Sequence, residues 1–272
     1  MIKLLTLELR KILPYRMFWI MLGIYVFSMV FFFWGLPSLI DYFSMRSQSP
    51  EVKLLKNFLY NFPDIWQNLS WAASLRFFIK IFFGMIMIVL VTNEYAYLTV
   101  RHNIINGLSR TDFLMSKVYL AVLFSLVATF LVFITGLVLG LIYSPNVTVH
   151  NFFGKMIFLL GYFIEIFAYL LFSIMVAILV KRTGFAIGLL FVYPIIEIIV
   201  QQKISEDIQP YLPINAINHV LKTPNTSLIQ FDSPGFDVDL QTRLAMQDIL
   251  VALMYCVLFI GISLWVIRKR DL

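Results

Sequence analysis

Two carboxylates set deep in apolar sequence are the first residues in the chain that could do chemistry. Glu165 stands about a dozen residues into the run Phe152–Val180, and Glu197 follows Pro194 near the end of Phe185–Val200. A carboxylate in hydrocarbon is costly, so it marks either a paired group or part of a substrate or proton path. Pairing has concrete candidates, because Arg76 and Lys80 enter the run Leu75–Thr92 from the same side. Both readings stay open at this level. Other chemistry is thin. His102, His150 and His219 fall in three separate connections, too scattered for a metal site, and Cys256 lies alone inside the last apolar run. The chain has no His-Glu-x-x-His helix, no Gly-x-Ser-x-Gly elbow and no Gly-x-x-x-x-Gly-Lys-Ser/Thr phosphate loop. These patterns leave no candidate catalytic, cofactor-binding or metal-ligating residues.

The elements that position these groups are six apolar runs, each long enough to cross a hydrocarbon core about 30 Å thick as a helix. They are Met17–Leu36, Leu75–Thr92, Val118–Tyr143, Phe152–Val180, Phe185–Val200 and Ile249–Ile267. With 61% hydrophobic and 13% charged residues in 272, a single all-α, polytopic membrane domain is expected and a soluble fold is excluded. The net charge of +6 follows topology rather than nucleic-acid binding. With the N-terminus inside, the cytoplasmic pieces hold 12 of the 21 Lys and Arg residues on about half as much chain as the outer pieces, which places both termini in the cytoplasm. The localisation expected is therefore the cell membrane, with lipid as a constant partner.

Residues 2–13 pattern as an amphipathic helix at the membrane surface, with Ile2, Leu5, Leu9, Ile12 and Leu13 on one face and Pro14 ending it. The first outer loop, 37–74, has a helix start at Ser49-Pro50-Glu51 and interface anchors in Trp66 and Trp71. The cytoplasmic segment 93–117 is the most structured connection. It is helix-compatible from Asn93-Glu94-Tyr95 to Ile105, stops at Asn106-Gly107, and restarts through the capping box Ser109-x-x-Asp112 into the third span. Lys181-Arg182-Thr183-Gly184 forms a tight turn, and the outer loop 201–247, rich in proline, is expected to hold mixed short structure.

This organisation resembles the membrane permease subunit of type-2 ABC exporters. The features that carry it are the amphipathic helix before the first span and the stretch Glu94…Thr99-Val100-Arg101…Asn106-Gly107-Leu108-Ser109-Arg110…Lys117. The long outer loop before the last span and the terminal Arg268-Lys269-Arg270-Asp271-Leu272 add to it. The resemblance implies a short cytoplasmic coupling helix within Glu94–Ile105, seated in a separate ABC ATPase subunit present in two copies. ATP and Mg would be held by that partner. It also implies a second permease subunit, identical or related. Glu94 and Arg101 would contact the ATPase or the N-terminal helix, the corner of Asn106, Gly107 and Ser109 would fix the coupling helix to the third span, and Arg110 and Lys117 would meet either the ATPase side or anionic headgroups. The alternative is an ATP-independent transporter or channel, which more often shows matching broken spans.

Overall fold

A computed structural model of the chain describes residues 2–47, 60–74, 78–100, 105, 107–144, 147–224 and 241–269. Among these, every regular element is helical, apart from one isolated bridge between Pro224 and Gln241. An N-terminal helix, Ile2–Ile12 (α1), turns at Leu13-Pro14 into a 32-residue helix, Arg16–Ser47 (α2). Proline has no N–H to donate and clashes with the preceding turn, which is why α1 ends where it does. The first span, expected to end at Leu36 with a loop from 37, continues as helix to Ser47 within α2. The helix start expected at Ser49–Glu51 lies outside the described residues.

Next come Asp64–Ser74 (α3), Phe78–Ala96 (α4), the 34-residue Arg110–Tyr143 (α5), Val149–Phe153 (α6), Ile157–Val180 (α7) and Thr183–Gln201 (α8). A 3-10 turn at Gln209–Tyr211, the short Pro213–Asn218 (α9) and Met246–Lys269 (α10) complete the order. Among the described residues, five stretches are long and apolar enough to cross a membrane by length and composition, within α2, α5, α6 with α7, α8 and α10. The helix over the remaining expected run is α4, 19 residues of mostly Ile, Phe, Met and Val. At 1.5 Å per residue, α5 is about 50 Å long, more than a hydrocarbon core requires. The protein is membrane-embedded and all-helical.

Helix α7 is the axis. Of its span, 78% is buried, against 17% for α8, because α3, α4, α5, α9 and α10 all pack around it. Its apolar residues run round its whole circumference, as a helix buried on all sides requires. Close approach is built into its neighbours. A Cβ on Gly140 of α5 would run into the Phe62 ring, and one on Gly136 would stand 2.8 Å from Trp66. Glycine there is what admits those two rings.

Four expectations about the connections change. The described parts of the first outer segment are mostly helical: α2 runs to Ser47, α3 is largely buried, and Trp66, expected at the interface, is fully enclosed, stacks on Phe133 and donates from Nε1 to the Phe152 carbonyl at 2.6 Å. The fourth span breaks at Gly154–Met156 between α6 and α7, where Lys155 reaches back to Asp64 at 2.7 Å and to Gln67 at 2.8 Å. The helix over the second expected span stops at Ala96, because the chain turns at Tyr97-Leu98 with Leu98 at φ +56°, and the stretch expected to reach Ile105 is helical again at Thr99, Val100 and Ile105. The turn between α7 and α8 narrows to Lys181, at φ +57°, and Arg182.

Candidate functional site: two buried charge clusters

At the end of the bundle where α1, the C-terminal end of α4 and the start of α5 meet, four charged side chains form one network. Lys117 of α5 is fully buried. Its Nζ lies 2.5 Å from Glu8 Oε2 and 2.5 Å from Glu94 Oε1. Lys11 Nζ completes the ring, 3.2 Å from Glu94 Oε1 and 3.5 Å from Glu8 Oε1, and Ser116 Oγ donates to Glu8 at 3.1 Å. Two carboxylates and two ammoniums cancel, which is what allows such a group to leave water. Burial pushes the Glu8 carboxyl upward, but Lys117, Lys11 and Ser116 outweigh it and hold Glu8 below the usual range. Burial likewise disfavours charge on Lys11, yet Glu94 and Glu8 lift it above the ordinary lysine value.

Local structure explains why these groups meet. Glu8 lies one turn from Leu4, Leu5 and Ile12, on the stripe that α1 turns toward α5, and Ile12 beside it is 1% exposed. Leu13, expected on the same face, is exposed instead, since the helix has already ended. The corner into α5 is held by the expected capping box: Ser109 Oγ accepts the Asp112 N–H, and the Asp112 carboxylate accepts the Ser109 N–H. Gly107 sits at φ +95°, a conformation that costs glycine little. Arg110 binds the Ile267 and Arg268 carbonyls at 2.8 and 2.9 Å and so ties the last turn of α10 to the corner. Asn93 donates to the Tyr15 hydroxyl at 3.0 Å, adding a second link from the α1–α2 turn to α4.

The opposite end carries the second cluster. Lys80 of α4 donates to Glu165 Oε1 of α7 at 2.6 Å and to Asn218 Oδ1 of α9 at 2.5 Å, with the Tyr169 ring 5.5 Å from its Nζ. Both charged side chains are sealed from the surface. Nearby, the Tyr25 and Tyr162 hydroxyls, one from α2 and one from α7, lie 3.4 Å apart. Glu197 is separate. Its two oxygens accept the backbone N–H groups of Ile214 and Asn215 at 3.1 and 2.6 Å, satisfying the first turn of α9.

Of the residues singled out in the sequence, Lys80 and Glu165 are brought together, whereas Glu197 belongs to α9. Arg76, Arg101 and Asn106 lie outside the described residues, as do residues 102–104 of the expected coupling helix, whose Thr99, Val100 and Ile105 are helical. Glu94 faces α1. Lys117 is enclosed by carboxylates, which removes the headgroup reading for it, and Arg110 is taken by the α10 carbonyls. Glu8, Lys11 and Asn218 were not singled out. Glu8 had a signal: it is the one acidic residue in the first 40 and stands on the apolar stripe of its helix. Asn218 had none.

An all-helical, membrane-embedded protein with two enclosed charge clusters is the class that fold and site define. Residues 39–272 match the model of a protein family of unknown function, DUF2705, and the chain belongs to that family. No curated protein matches the chain.

Proposed function

We propose that this chain is the membrane permease subunit of an ATP-driven ABC exporter of the type-2 class. In this reading it has six spans, with α4 as the second, and both termini on the cytoplasmic side of the cell membrane. Two such units, identical or related, would pair and bind two copies of a separate ATPase subunit that holds ATP and Mg. The observation that carries the reading is the four-charge network at the α1–α4–α5 corner. It fastens the N-terminal helix and two spans into one piece immediately beside the segment expected to receive the ATPase. Closure of two ATPases would then move α1, α4 and α5 as a rigid body, as packed two-state elements do. Tyr97, Leu98 and Ile105, all more than half exposed at that corner, offer the apolar surface that such a subunit would cover.

The test is purification of the tagged chain from its native membranes in mild detergent. Co-purification of a polypeptide carrying a phosphate-binding loop, weakened in a Glu94→Ala/Arg101→Ala variant, supports the reading. Absence of any such ATPase under conditions that preserve other membrane complexes removes it and leaves ATP-independent transport in front.

A further inference from the structure

From the cavity between α8 and α9 we infer a binding site for an amphipathic cation. The cavity encloses about 370 Å³, within the range that holds a small organic ligand. Its rim includes Ile195 and Ile198, 52% and 56% exposed, so it opens sideways from α8 rather than inward to the bundle axis. Glu197, Gln201, Asn215 and Asn218 supply its polar lining. Glu197 is 5% exposed and is the one charged residue among the described residues that line the cavity. Lys80, which reaches the lining residue Asn218, is 1% exposed and already serves Glu165 and Asn218 Oδ1.

The charge selectivity follows from Glu197. An ionised carboxylate offers about four lone-pair sites, and the Ile214 and Asn215 N–H groups take one on each oxygen. The remaining acceptor capacity belongs to an anion set in a largely apolar recess, where attraction to a cation is screened far less than in water. A ligand with an apolar body and a delocalised or ammonium charge gains both terms. An anion of the same shape gains the first and is repelled by the second. The site stands apart from the export reading: its failure leaves ATPase co-purification untouched, and the reverse also holds.

The experiment uses the full chain in nanodiscs of zwitterionic phosphatidylcholine, with empty nanodiscs as the blank. Binding of tetraphenylphosphonium is compared with that of tetraphenylborate, an ion of like shape and opposite charge. The expected result is saturable binding of the cation, about one per chain, with no saturable binding of the anion. Glu197→Gln should weaken the cation at least roughly tenfold, equal to about 1.4 kcal/mol. Because Glu197 also satisfies the start of α9, Ile198→Trp provides a second variant that blocks the rim without touching those hydrogen bonds, and it should abolish binding. Equal binding of both ions overturns the inference, as does cation binding unchanged in Ile198→Trp, or no saturable binding at all.

Discussion

The two charge clusters use the same residue types at different depths. Lys80 and Glu165 meet inside the helix bundle with side-chain exposures of 1% and 0%, one ammonium to one carboxylate. At the corner, Glu8, Lys11, Glu94 and Lys117 share charge two against two, and Lys11 keeps 42% of its side chain exposed. The first has nowhere to go if a partner is lost. The second can exchange partners, and two of its members, Glu8 and Lys11, sit on the N-terminal helix α1. Depth thus separates a rigid pin from a reversible clasp.

The largest effect is expected from breaking the pin. Lys80→Met removes the ammonium from Glu165 and should cost about 3–5 kcal/mol, read as loss of folded protein in SDS titration. The double variant Lys80→Met/Glu165→Met should recover most of it, since a sealed pair is roughly replaceable by apolar groups of similar size. If the double variant is as unstable as the single, the pair is not what was lost.

Lys117→Met comes next. It leaves Glu8 and Glu94 facing each other with only Lys11 between them, and α1 can relieve this by undocking. The expected cost is about 2–3 kcal/mol, smaller than at Lys80 for that reason. Spin labels on α1 and α5 should report a longer and broader distance distribution, whereas a simple packing defect would leave the distance unchanged.

The clasp also has a pH signature. Glu8 has a folded pKa below its ordinary 4.5, so its contribution is complete above that value and is lost as pH falls through the lowered one. Lys11 is held above its ordinary 10.5, so its contribution is complete below that value and is lost as pH rises through the raised one. The α1–α5 distance should therefore stay constant between pH 5 and 10 and lengthen only outside. A transition near neutrality would contradict the assignment. Smallest of all, Lys11→Gln should cost less than about 1 kcal/mol, because its charge is partly screened by solvent.

Much of this arrangement was legible from local rules. The apolar runs gave the long helices, Ser109 and Asp112 gave the start of α5, and Pro14 gave the end of α1. Lys80 was legible as a partner for Glu165 because a deep carboxylate demands one. What failed was any feature set by tertiary packing. The burial of Trp66 and Phe62 depends on Gly136 and Gly140, in that order, at one helix face far along the chain. The role of Glu197 depends on α9 folding back against α8. Leu98 adopts a left-handed turn that its own sequence disfavours, so no propensity rule would end α4 there. The corner cluster needed three segments at once, and only Glu94 and Lys117 stood out from one.

The most direct measurement of the proposed role is photo-cross-linking from Ile105, which is 72% exposed at the corner, in intact native membranes. A photo-reactive amino acid at that position should capture a polypeptide with a phosphate-binding loop, and Lys117→Met, by loosening the corner, should reduce the yield. Capture of lipid alone, with no ATP-binding polypeptide in the cross-linked band, would contradict the proposal that this corner is where an ATPase drives the bundle.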